Sequence, residues 1–423
     1  MIIKDDTLKV NGNNLIFLSL VVLIFIVSLP LTTYLPGKMR VILQMGSVCL
    51  FFLGLLFHKN GKFFLYLFLL IILTGCYYFG AWNLVMKFSA FNFNAICCWI
   101  FFIAGVYFIK NTEQKKTRIL LYIIIAISIL TAFTTIIGLM KYPLAARELG
   151  KGGDYLAIET KRLYRRMNIA GWSQIYGMVM IMPMFLILWK RKNKWFYLFF
   201  AVICELSIIF SQLTYAVLIS FVAAFLILFD RTKSRPRIIF NIFVCLTEIF
   251  ILLNLESLIQ WMIDISVKNK FSMLSIKLQD LYNLLFHRVS TGDATARFLL
   301  YQISIETFLK HPLGNLLSFD INIADYGFHS ELFDFIACFG IAGIAIIVIF
   351  IKKYLKMIKK SDLNNKHDIV ILFIIFGGLF LFNPVFYSPQ IFLGTFLVPV
   401  LVDKSLTCKM KYRKETPGLC GNS

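Results

Sequence analysis

Runs of roughly twenty apolar residues recur from end to end of this 423-residue chain. Each is long enough to cross the ~30 Å hydrocarbon layer of a bilayer as an α-helix. Inside that layer every backbone N–H and C=O must be bonded within the protein, which leaves only helices or a closed barrel. The runs are continuous and do not alternate, which selects helices. Composition agrees: 59% of residues are hydrophobic and 15% charged, against about 25% charged in a soluble protein. The expected fold is an all-α polytopic membrane protein with about 12 transmembrane helices, nine before a large extracytoplasmic loop and three after it.

The first nine expected spans occupy residues 1–258 and include a polar loop at 141–166. The third covers about 63–82 and the ninth about 238–258. Residues 195–229 are too long for one span and divide at Ser211-Gln212-Leu213-Thr214. A helical loop, 259–331, separates helices 9 and 10. Helices 10–12 fill 332–402, the last two meeting at Asn383-Pro384, and a basic tail, 403–423, follows. The net charge of +21 invites a nucleic-acid partner. The basic residues, however, sit in short clusters between spans, the pattern set by insertion topology, so membrane lipids are the expected partners and nucleic acid is not. The short turns on one side are consistently basic. That places both termini in the cytoplasm and the two long loops outside. The first apolar run is a full span without a cleavage site, so no cleavable signal is expected. Seven of the nine cysteines lie in apolar runs and none in an outer loop, which implies no disulfide framework.

Two departures from this pattern point to function. Loop 141–166 is outside yet carries Lys141, Arg147, Lys151, Lys161, Arg162, Arg165 and Arg166. It is either charge tolerated once strong inner turns fix orientation, or an anion site, for which arginine's planar fork is suited. The other is loop 259–331, the one long polar interval of the chain. Phe271, Leu274, Leu278, Leu281 and Leu285 recur at helical spacing, on a helix that lies either on the membrane surface or against the bundle. Asp293 or Thr295 can cap a second helix, Ala294 to Lys310, with Arg297 in its first turn. There it either adds to the free N–H groups as a phosphate site or pairs with Asp293. His311-Pro312-Leu313-Gly314 ends that helix, so His311 reads first as structural. His329 stands at the lip of the next span with Glu331 and Asp334 close in sequence. It is either an interfacial histidine or a general base oriented by those acids. No metal motif and no Gly-rich nucleotide loop occurs, and no cofactor is expected. Glu205 and Glu248 are the clearest charges inside spans, fewer than an ion-coupled transporter would carry.

The order Arg288, Arg297, His311-Pro312-Leu313-Gly314, His329-Ser330, then a span running through Phe339-Gly340-Ile341-Ala342-Gly343, resembles the O-antigen polymerase and O-antigen ligase superfamily. Upstream, Arg166-Met167-Asn168-Ile169-Ala170-Gly171-Trp172-Ser173-Gln174 stands where that superfamily has an arginine followed by Asn-Pro-Asn. Ser211 to Tyr215 takes the place of its Ser-Arg-Gly step without the arginine, and His-Ser replaces its His-Asn pair. The likeness spans roughly 162–343. It implies a metal-independent membrane glycosyltransferase, a polymerase of capsule or O-antigen. Such an enzyme joins undecaprenyl-pyrophosphate-linked oligosaccharide units, with a flippase and a chain-length regulator as expected partners. A ligase of finished glycan would use the same parts, and a glycan transporter is the alternative that makes no bond. Under the resemblance His329, Arg288 and Arg297 are the catalytic residues. Arg166, Arg165, Arg162 and His311 are the substrate-binding ones.

Overall fold

The computed structural model describes residues 12–57, 93–111, 113–150, 157–229, 254–269, 271–287, 293–314 and 326–415. Among these residues there are helices and no strands. Five helices are long and apolar enough to cross a membrane, and four shorter apolar ones accompany them, consistent with a multi-pass membrane protein. The expected third span, most of the ninth, Glu248 and Arg288 lie outside the described residues.

The chain opens with the hairpin α1 (Gly12–Ser28) and α2 (Gly37–Phe57), joined by a 3-10 turn, Pro30–Tyr34. The hairpin closes tightly because its contact residues are small: a Cβ on Gly12 would lie 2.6 Å from Gly54 O. Next come α3 (Phe93–Lys110) and α4 (Gln114–Lys141). Two short helices, α5 (Ala145–Gly150) and α6 (Ile158–Arg166), give the expected polar loop a fold of its own. Helix α7 (Trp172–Lys192) is central and almost wholly buried. It ends at Asn193 in the left-handed region, just after Lys190-Arg191-Lys192.

The long apolar stretch divides where its polar step predicts, into α8 (Trp195–Phe210) and α9 (Thr214–Phe229). Each has 16 residues, about 24 Å of helix, shorter than a full hydrocarbon layer. Glu205 of α8 accepts a hydrogen bond from Ser220 Oγ of α9 at 2.8 Å, so this intramembrane carboxylate ties two helices together.

The polar interval folds as α10 (Leu255–Lys268), α11 (Ser272–Tyr282) with a wider turn to His287, and α12 (Asp293–Lys310). Helix α10 begins at Leu255, inside the stretch expected to end the ninth span. Leu274, Leu278 and Tyr282 of α11 are buried, so this face packs on protein. The α10–α11 turn docks on the α8–α9 step: Phe271 meets Phe210, and Met273 N donates to Gln212 Oε1 at 3.1 Å. Exposed Leu258, Trp261 and Ile265 form an apolar stripe on α10.

Helix α13 (Glu331–Lys360) exceeds the expected tenth span and is broken at Gly340, whose φ of 61° and ψ of −144° are open to glycine alone. The turn after α12 fills that break. Ile341 N donates to Pro312 O at 2.9 Å, and a Cβ on Gly340 would lie 2.2 Å from the same oxygen. Helix α14 (Lys366–Phe382) returns, and Asn383-Pro384 leads through a 3-10 turn (Val385–Tyr387) into α15 (Pro389–Phe392). A wider helical turn, Leu393–Leu397, joins α15 to α16 (Val398–Glu415). The main core gathers side chains from α1–α4, α7–α9, α14–α16 and the C-terminal end of α13, with Phe51, Phe101, Phe185, Phe392 and Phe396 among its largest fully buried members.

Candidate functional site

At one end of the bundle the starts of α3, α9 and α13 meet the end of α14 and the turn after it, the end of α4 meets the residues before α7, α6 packs on the turn before α2, and α12 packs alongside α13. The opposite end carries the basic turns, among them Lys190-Arg191-Lys192, where Arg191 pairs with Asp368.

Helix α12 begins at Asp293, so Arg297 falls one turn in. Its guanidinium carbon sits 4.6 Å from the ring centroid of Tyr215, the second residue of α9. It also hydrogen-bonds Tyr301, one turn further along α12. Tyr301 OH donates to Phe382 O at 3.4 Å, and its ring lies 5.6 Å from Phe333. Tyr215 stacks on Phe382 at 5.9 Å. Tyr176 of α7, fully buried, lies within electrostatic reach of Arg297, Tyr215 and Tyr301. Burial and the neighbouring Tyr215 push the Tyr301 phenol above its ordinary value against the pull of Arg297, so it remains a neutral donor. Stacking uses a face of the guanidinium and holds its plane. The N–H groups not bonded to Tyr301 remain in that plane for an anion. Arg297 is therefore held by aromatic rings.

His329 stands in a tight turn pressed onto the same helix. A Cβ on Gly327 would lie 2.1 Å from Leu300 O, so only glycine fits at this contact. Gly327 N donates to Ser304 Oγ at 3.0 Å, and Ser304 Oγ donates to Asp334 Oδ1 at 2.6 Å. Asp334 is buried and is also bonded by backbone groups of Gly327, Phe328 and Ser330. Phe328 takes a φ of 54°, unusual for a non-glycine residue. Ser330 caps α13, accepting from Phe333 N at 3.2 Å. The turn thus fixes the imidazole: Nδ1 lies 3.1 Å from Gly327 O. A carbonyl oxygen only accepts, so Nδ1 carries a proton, and in the neutral ring the lone pair is then on Nε2.

Asp334 and Glu331, the acids expected beside the imidazole, both bond other groups here. Asp334 organises the turn itself, and Glu331, buried, accepts from Phe386 N at 3.1 Å while its own N–H donates to Asn383 O at 3.3 Å.

The other expected site residues are placed apart. Arg162 and Arg166 are exposed on α6, and Arg165 is half-buried on the same helix, its charged form disfavoured by burial. Helix α6 is anchored by Tyr164 OH, which donates to Glu148 Oε2 at 2.8 Å; burial and that carboxylate push the phenol up to about 12. Asn168, left-handed at φ 57°, accepts from Leu31 N at 2.9 Å and donates to Thr134 Oγ1 at 2.9 Å. These bonds bind the end of α6 to the α1–α2 turn, and Arg165 comes beside Arg40 of α2 rather than Arg297. His311 closes α12, its N–H bonded to Thr307 O at 2.9 Å and its carbonyl accepting from Gly314 N at 2.9 Å. Its role here is the turn, as its sequence position suggests, and not a contact with Arg297 or His329. Among the described residues no group of three or more His, Cys, Asp or Glu side chains is placed to hold a metal ion.

The structure therefore joins Arg297 and His329 through neighbouring turns of α12. It adds Tyr176 and Tyr215, which the sequence offers only as polar-tipped aromatics near the ends of apolar runs, and Tyr301, inside the second helix of the polar loop. No protein-family model, curated protein or solved structure matches the chain.

Proposed function

We propose that the chain is a polymerase of surface polysaccharide, joining undecaprenyl-pyrophosphate-linked oligosaccharide units by glycosyl transfer at the outer face of the bacterial cytoplasmic membrane. The observation that carries the reading is the pairing, on one helix, of an aromatic-held arginine with a histidine whose tautomer leaves Nε2 basic. The resemblance of the same residues to the O-antigen polymerase and ligase superfamily supports it.

In this reading the sugar hydroxyl of one lipid-linked chain gives its proton to His329 Nε2 as its oxygen bonds to the anomeric carbon of the other. The bond from that carbon to the pyrophosphate oxygen breaks, and the electron pair leaves with the lipid pyrophosphate. Arg297, with Tyr301, meets the charge that develops on the leaving oxygen, a role the resemblance also gives to Arg288. Arg162, Arg165 and Arg166 add positive potential around the lipid-linked substrates. The site end then faces outward, both termini and the basic turns face the cytoplasm, and the chain crosses about twelve times.

Reconstitution of the purified protein with its lipid-linked repeat unit tests this. Longer lipid-linked chains are expected. Transfer of finished glycan onto a different acceptor would make it a ligase. Relocation across the bilayer with no new glycosidic bond would make it a transporter.

A further inference from the structure

A second cationic cluster lies where the start of α2 approaches the end of α6, apart from Arg297. Arg40 stands in the first turn of α2, within Coulombic reach of Arg165 at the end of α6. Neither guanidinium has an ion pair or a hydrogen bond among the described residues. Arg40 Nε is buried with no acceptor among the described residues. The neighbouring group on the other side is Cys97, a fully buried thiol.

This arrangement lacks a component. A buried N–H with no partner costs about as much as a lost hydrogen bond, and a charged donor costs more. Two guanidiniums within Coulombic reach of each other, with no carboxylate among the described residues paired to either, also repel. The fold nonetheless enforces the meeting: Asn168 bonds Leu31 N and Thr134 across three segments, which holds the end of α6 against the turn that precedes α2. The free N–H groups at the start of α2 add further positive potential.

We propose that Arg40 and Arg165 form a phosphate-binding subsite separate from Arg297, taking a phosphate or pyrophosphate group. Two forks from different helices can each bond two oxygens of one phosphate, and Arg40 Nε supplies a donor that has no other use. Arg40 is the fourth residue of α2, at the start of an apolar run long enough to cross a membrane, where a lipid phosphate is within reach. The group therefore comes either from a lipid or from free phosphate, and the chemistry of the subsite does not depend on the transfer reaction.

The test uses the purified full chain in a maltoside detergent, which carries no phosphate, with Arg297→Ala as the parent so that the other arginine is silent. Polyprenyl phosphate and inorganic phosphate are titrated by calorimetry. Polyprenyl phosphate is expected to bind the parent. Adding Arg40→Gln or Arg165→Gln should weaken it at least about tenfold, and the two together little more than either alone, because they share one ligand. Inorganic phosphate binding far more weakly, with the same two sensitivities, assigns the group to a lipid; equal binding assigns it to free phosphate. Arg165 ends a half-exposed helix, so its variant keeps a folded chain to measure. Undiminished binding in a folded Arg165→Gln variant overturns the subsite, as does an equal loss with the exposed Arg162→Gln, which would mean bulk charge alone.

Discussion

At the scale of the residue, Arg297 depends on its rings as much as on its charge. The Tyr215 face fixes the guanidinium plane, and Tyr301 takes one of its N–H groups. Arg297→Lys keeps the charge and loses both the plane and the fork. It is expected to reduce glycan transfer by about 10²-fold, nearly as much as Arg297→Ala, the usual size for a lost donor to developing charge. Tyr215→Leu should cost less, about tenfold, since the fork survives without its support. Transfer rates from reconstituted variants check both, and near-normal rates for the lysine variant would reduce Arg297 to charge balance. Arg297 and His329 were legible because polar residues in an apolar chain stand out. The tyrosines were not, since a tyrosine near the end of a span is ordinary as an interfacial anchor. Arg40 was hidden inside the expected second span, where nothing in the sequence shows which helix end it would meet.

At the scale of the element, most helices fall where apolar periodicity and basic turns put them, including the division at Ser211–Leu213 and the start of α12 at Asp293. What periodicity cannot show is a break inside an apolar run. Phe339-Gly340-Ile341 reads as uninterrupted span, yet Gly340 takes a conformation closed to other residues, and the Pro312 carbonyl fills the gap. This contact locks α12 to α13 and so sets Arg297 relative to His329. Gly340→Ala forces a Cβ onto that carbonyl and strains the backbone by about 1–3 kcal/mol before any steric shift. A lower melting temperature and a fall in transfer rate are expected together. His311→Ala, whose backbone makes the turn, should leave the transfer rate within a few-fold of wild type. A loss as large as that of Arg297→Ala would return His311 to the substrate site.

At the scale of the molecule, the account requires the site end to face outward. A cysteine at Asn269, exposed after α10, should react with an impermeant thiol reagent added to intact cells; one at Asn364, between α13 and α14, should not. The reverse pattern would put the site on the wrong side of the membrane for this chemistry. The claim on which everything else rests is that His329 removes a proton from the acceptor sugar, and His329→Asn probes it most directly. The asparagine amide can still donate to Gly327 O, so the turn is kept while the basic nitrogen is lost. The decisive measurement is the single-turnover rate of glycosidic bond formation by this variant in liposomes loaded with the lipid-linked donor. The account predicts unchanged donor binding with a rate reduced by about 10² or more. Bond formation at the wild-type rate would contradict it.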